Sequence, residues 1–154
     1  MNAAGEVHMV DVADKPETRR RAVACGSVHM SPAVAERISR NDAPKGEVLA
    51  TARVAGIMAA KRTHELIPLC HPIALTSVEV TIDVDARIGR VDVRATAEAT
   101  YRTGVEMEAL TAASIACLTI YDMVKGLDRE MVIGEVKLLE KSGGRGGTYV
   151  RDGA

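Results

Sequence analysis

The chain has 154 residues, 47% hydrophobic and 27% charged, with a formal net charge of -1. That length fits one domain, and a near-neutral chain supplies no basic field to draw in nucleic acid or an anionic membrane. Three Tyr with no Phe or Trp leave no aromatic platform for single-stranded nucleic acid, and the core must be built from Ala, Val, Ile, Leu and Met.

Residues 1–15 read as a flexible polar arm in which "HMVDV" is a short strand or extended piece. They contain no signal-peptide core. "RRRAVACGSVHM" alternates around Val23, Cys25 and Val28 and predicts a strand. "SPAVAERISR" predicts a helix, with Ser31 as cap and Pro32 in the first turn. Apolar residues recur at helical spacing through residues 43–66, with Asp42 a candidate cap and Pro68 the stop. "IPLCHPI" is irregular, braced by Pro68 and Pro72.

"TSVEVTIDVDA" and "VDVRATAEATY" both alternate with period two and flank the turn "RIGR", the clearest hairpin in the sequence. A helix over residues 104–126 follows, with Thr103 as cap and Gly126 as stop. "EMVIGEVKLLEK" predicts a last strand, and residues 142–154 form a glycine-rich tail. The order from residue 19 is strand, helical stretch, strand, strand, helix, strand. That is the split βαβ, or ferredoxin-like, α+β arrangement: one antiparallel sheet with helices on one face, here a single domain over 1–154. The fold says nothing about activity.

The helix over 104–126 is apolar nearly all round, with Val105, Met107, Leu110, Ile115, Leu118, Ile120, Met123 and Val124 on every side. Thr111, Ser114, Thr119 and Asp122 interrupt its apolar run, so it is not a membrane span. One small sheet covers one side of such a helix, which predicts a homo-oligomer. The plainer alternative is that the helical stretch 31–65 covers the remainder. The helix's charges sit at its tips: Glu106 and Glu108 at one end, Asp122 and Lys125 at the other. Glu108 and Asp122 are roughly 20 Å apart along the axis and cannot touch one reacting atom from a single helix. An interface joining the start of one helix to the end of another resolves this. Favourable acids in a first turn and a surface ion pair are the structural alternative.

Other candidates lie in loops. Cys70 and His71 are displayed by the proline-braced turn as acid, base or phosphate ligand, or are a packed thiol and a hydrogen-bonded ring. Lys45 stands at a helix start, and Lys141 and Arg145 flank glycine pairs able to cradle an anion. Arg19, Arg20 and Arg21 form a basic cluster. Cys25, Cys70 and Cys117 are odd in number and widely spaced, which argues against disulfides or structural zinc and for a reducing cytoplasm. Together these residues suit a small polyanionic ligand. A non-catalytic anion- or nucleotide-binding domain of ferredoxin-like type, and a metal hydrolase using His64, Cys70 and His71, are the competing readings.

At "KRTHELIPLCHPIALTSVEV", "TGVEMEALTAASIACLTIYDMVKG" and "MVIGEVKLLEKSGG" the sequence resembles the MoaC family, the cyclic pyranopterin monophosphate synthases of molybdenum cofactor biosynthesis. "HMVDVADKPETRRRA" is similar to the family's opening, and the resemblance runs from about residue 5 to 147. It implies a lyase that converts a cyclised dihydro-GTP into cyclic pyranopterin monophosphate and releases pyrophosphate. It also implies a homohexamer built as a trimer of dimers, with the active site at the dimer interface. An upstream radical SAM enzyme would be its functional partner. The resemblance requires no certain cofactor and admits Mg²⁺ on the hard oxygen ligands Glu106 and Glu108. Carried over by motif, the catalytic set is Asp122, Lys125 and His71. The substrate set is Leu69, Cys70, His71, Glu106, Met107, Glu108, Lys45, Lys141 and Arg20. Lys45, Lys141 and Arg20 would neutralise the triphosphate. Val124, Gly126, Arg145 and Gly146 depart from the family pattern without removing a charge.

Overall fold

Two alternating segments pair as expected. β2 (Ser77–Asp85) and β3 (Arg90–Tyr101) form a hairpin in which Val78, Val80, Ile82 and Val84 share one face with Val91, Val93, Ala95 and Ala97. This computed structural model describes residues 5–153, so residues 1–4 of the arm and Ala154 of the tail lie outside the described residues. β1 (Thr18–His29) runs antiparallel to β3, and β4 (Val132–Ser142) antiparallel to β1. The sheet order is β2-β3-β1-β4-β5, where β5 (Tyr149–Val150) is a short edge strand made by the tail. The first four strands have the ferredoxin-like order, and the fold is α+β.

The helices are α1 (Pro32–Ser39), α2 (Val48–Ala60), α3 (Thr63–Leu66) and α4 (Glu106–Val124). α4 lies over β1, β3 and β4 and packs along α2. Small residues bring these layers close: Ala22, Ala24, Ala95, Ala97 and Ala99 on the sheet face Ala109, Ala112, Ala113 and Ala116 in a buried cluster. A Cβ at Gly56 of α2 would lie 2.9 Å from the Ala112 carbonyl oxygen, so this helix crossing requires glycine. The core is aliphatic, as a chain without Phe or Trp demands. On the opposite sheet face, Arg21 bridges Glu98 and Glu140, and Arg94 also reaches Glu140. That charged lattice keeps the second face polar.

The capping expectations fail locally. Ser31 is the N-cap of α1, and Pro32 follows it as expected, but its hydroxyl makes no cap bond. Its N–H donates instead to Asp128 Oδ2 at 2.8 Å. Asp42 does not cap α2, which starts only at Val48, because Pro44 and the left-handed Gly46 (φ 92) make a turn first. The stretch to residue 66 breaks into α2 and α3 near Arg62. Thr103 does not cap α4: Val105 occupies that position, leaving Thr103 and Gly104 in the preceding loop.

α4 is long and apolar enough to cross a membrane, yet half of it is buried within this domain. The sheet takes one side and α2 a second, so the helical alternative covers more of it than one sheet can. A strip remains: Met107 and Leu118 are exposed, Leu110 and Ile115 are half-buried, and Asp122 and Lys125 continue the line. Val54 and Met58 of α2 add exposed apolar surface.

Candidate functional site

Two clusters form at opposite ends of α4. At the N-terminal end, the loop held between Pro68 and Pro72 lies against the helix's first turn. Leu69, Cys70 and His71 there line a cavity of about 190 Å³ with Glu106, Met107 and Glu108. Glu106 also borders a second cavity of about 490 Å³, walled by Lys15, Arg20, Arg102, Lys141 and the loop Gly143–Gly146. Lys141 Nζ donates to Glu106 Oε1 at 2.9 Å, which links the two cavities. Strand β4 presents Lys141 on the helix side because it pairs with Ala22, a core residue.

At the other end of α4, Asp122 accepts from Lys125 at 2.7 Å and from Lys45 at 2.8 Å. Lys45 also donates to the Asp122 main-chain carbonyl at 2.9 Å. The turn before α2 that displaced the expected helix start is what carries Lys45 there. The expected triphosphate set of Lys45, Lys141 and Arg20 is therefore divided within one chain. Arg20 and Lys141 share a cavity, while Lys45 lies a helix length away, about 28 Å for the 19 residues of α4.

A sequence model of the MoaC family matches residues 9–144. The cyclic pyranopterin monophosphate synthase of Roseiflexus sp. (strain RS-1) is 55% identical over 152 residues, covering 99% of this chain and 96% of that protein. The one from Thermoanaerobacter sp. (strain X514) is 50% identical over 152 residues, with the same coverage. The one from Brucella ovis is 55% identical over 149 residues, covering 97% of this chain and 90% of that protein. The chain belongs to the MoaC family.

Within this family member the electrostatics separate the two ends. Hydrogen bonds from Lys125 and then Lys45 pull the Asp122 carboxyl down to about 2. The Asp122 hydrogen bond in turn raises Lys125 above its ordinary value. Both shifts move away from neutrality. Glu108 moves the other way. Burial, opposed by its own main-chain N–H and assisted by the charge of Glu106, pushes its carboxyl up to about 7. Sequence reasoning placed Glu108 in the site by motif and missed this, because burial three residues inside a helix leaves no local mark. Burial and then the Glu108 charge also raise the Cys70 thiol. A raised thiol is a poor nucleophile, which fits Cys70 as a wall of the cavity.

Lys15 and Arg102 were also missed. They reach the larger cavity because Arg102 Nη1 donates to the Ala13 carbonyl at 2.7 Å and pins the arm. Among the described residues no three of His, Cys, Asp and Glu converge as a metal site, so the hydrolase reading on His64, Cys70 and His71 lacks its ligand set. Glu106 is engaged by Lys141 and Glu108 is buried with a raised value. These two acids do not fit a Mg²⁺ ligand pair.

Glu108 sets a pH dependence of stability. Below its ordinary value of 4.5 both folded and unfolded chains hold the proton. As pH rises to about 7 the unfolded chain ionises while the folded chain keeps the proton, so stability falls across that window and levels off above it. Glu108→Gln removes this cost. Denaturant titration should show the variant more stable than the parent by about 1–3 kcal/mol at pH 8, with the difference gone near pH 4.

Proposed function

We propose that the chain is a cyclic pyranopterin monophosphate synthase of molybdenum cofactor biosynthesis, acting on a cyclised dihydro-GTP. The observation that carries this reading is the pair of complementary half-sites at the two ends of α4, one rich in cations around a cavity and one a Lys–Asp–Lys cluster. An antiparallel pairing of two α4 helices across the exposed strip of Met107, Leu110 and Leu118 would seat the start of one helix beside the end of the other. A two-fold interface of that kind repeats the contact on both sides and yields two sites per dimer. Three such dimers would make the hexamer.

In each site Arg20 and Lys141 of one copy and Lys45 of the second copy neutralise the triphosphate. His71 and Glu108 line the adjoining cavity, where the purine is rebuilt. A carboxyl near 7 is protonated in about half of the molecules at neutral pH and can donate that proton to a ring nitrogen. Lys125, a cation held in place by Asp122, supplies fixed positive charge or a proton as the ring opens and recloses. A sugar hydroxyl then attacks the α-phosphorus, its P–O bond forms, and the bond to the β-phosphate oxygen breaks. The hydroxyl proton passes to a base in the site, and pyrophosphate leaves against the lysines and Arg20. The protein would work in the cytoplasm, downstream of the radical SAM enzyme that makes the substrate.

Incubation of the purified protein with the cyclised nucleotide tests this directly. One pyrophosphate should appear per cyclic pterin phosphate formed. Tight binding with no pyrophosphate would leave only the anion-binding domain.

A further inference from the structure

The charge that faces the larger cavity from β1 is held in an unusual way. Arg20 donates from Nε to the Tyr101 carbonyl at 3.2 Å and from Nη2 to the Arg102 carbonyl at 3.3 Å. Its neighbours Arg19 and Arg21 are both paired with Glu98, but Arg20 has no carboxylate partner among the described residues. A half-buried guanidinium satisfied only by neutral carbonyls keeps its full charge for an anion.

Gly144 closes the third side. A Cβ built there would lie 1.7 Å from Arg20 Nη1 and 2.5 Å from Cζ, so the main chain rests directly on the guanidinium. Gly144 has a left-handed φ of 72, and Gly143 before it a φ of 99. The two glycines differ in what they touch. A Cβ at Gly143 would strike the main-chain oxygen of Arg19 at 2.1 Å, which cannot yield, so that glycine is needed for the fold of the loop. The atom opposing Gly144 is the far end of a side chain, which yields by leaving its carbonyls.

We propose that Gly144 is a positioning residue: its missing side chain lets the loop after β4 clamp the Arg20 guanidinium against the Tyr101 and Arg102 carbonyls, fixing its charge toward the phosphates. The assignment of phosphates to this cavity rests on the reading given under Proposed function. The loop is itself tied down, since Tyr149 and Val150 pair with Lys141 and Glu140, and the Arg151 N–H donates to the Leu139 carbonyl at 2.8 Å. The clamp is therefore a built part of the fold.

The test is a double-mutant cycle read by calorimetry with inorganic triphosphate, in the oligomer as purified. Gly144→Ala should weaken binding about tenfold, corresponding to about 1.4 kcal/mol, and Arg20→Ala should do the same. The double variant should bind no worse than Arg20→Ala alone, because the clamp then has nothing to hold. Gly147→Ala supplies the control: its φ of 62 carries similar backbone strain, but its Cβ would meet nothing within 4 Å. It should bind like the parent. With the cyclised nucleotide, Gly144→Ala should raise KM and leave kcat nearly unchanged. Additive losses in the cycle, an equal loss from Gly147→Ala, or no triphosphate binding by the parent would each overturn the clamp. Triphosphate binding that obeys the cycle without turnover of the nucleotide would leave the clamp standing and overturn the proposed function.

Discussion

Lys125→Ala and Asp122→Ala should each lower kcat for pyrophosphate release by about 10³-fold, with the oligomer and thermal transition unchanged. The pair is more than half exposed in the single chain, at 56% and 54% of the side chains. Exposed ion pairs contribute little to stability, so a large kinetic loss with an intact fold cannot come from unfolding. The two residues also hold each other: hydrogen bonds from Lys125 and Lys45 lower the Asp122 carboxyl further, and the Asp122 hydrogen bond raises Lys125. Asp122→Asn keeps the shape and removes the charge. It should lose nearly as much rate as the alanine variant if Asp122 acts through its negative charge, holding both lysines in place. An alanine variant at either position with normal turnover in a rapid-quench assay would remove this cluster from the chemistry. Retained activity in Asp122→Asn alone would show that hydrogen-bond geometry, not charge, is what the cluster supplies.

The legible parts of the fold were those with a strong local period. β2 and β3 alternate so regularly that the hairpin followed from sequence, and its pairing places Val80 against Ala95 on the buried side. α4 could be read from its length and its all-round apolar surface. Two of the failures share a cause: the deciding partner is distant in sequence. The start of α1 is served by Asp128, 97 residues away, in place of the Ser31 hydroxyl. β5 has two residues and no period of its own; it exists because β4 offers an open edge at Glu140 and Lys141. The miss at α2 is local: the helix expected from residue 43 starts only at Val48, because a turn through Pro44 and the left-handed Gly46 comes first.

The site divides in the same way. Residue type and motif selected Arg20, Lys45, His71, Glu106, Glu108, Asp122, Lys125 and Lys141, but not which of them meet. Lys45 reaches Asp122 across 77 positions, and Lys141 reaches Glu106 across 35, contacts that only the assembled layers create. Glu108 could be assigned to the site but not given its proton, since that depends on its burial in the assembled fold. Besides the order of elements, which gave the ferredoxin-like arrangement, the arithmetic of helix rise was a global inference the sequence supported. It separated the two ends of α4 before any fold was known, and that separation persists in three dimensions.

That separation makes the second large effect a matter of mixing. Lys141→Ala damages the end of α4 that carries the cavities, and Asp122→Ala damages the other end. Each variant alone should be inactive, because every site built from two identical copies has one broken half. Co-expressed from equal doses, the two chains pair at random, and half of the dimers are mixed. In a mixed dimer one site receives both substitutions and the other receives neither. About a quarter of all sites are then intact, and activity per dimer should recover to about a quarter of the parent's. The same two substitutions placed in one chain, paired with an unaltered chain, should give single-substituted sites only and far less activity in the purified mixed dimer. Were each site contained in one chain, the opposite pattern would hold: the two single variants would give nothing together, and the unaltered chain of the second pair would retain its full share. The contrast between these two mixtures therefore decides whether Asp122 and Lys141 serve one site from two chains, independently of how much either residue contributes to rate.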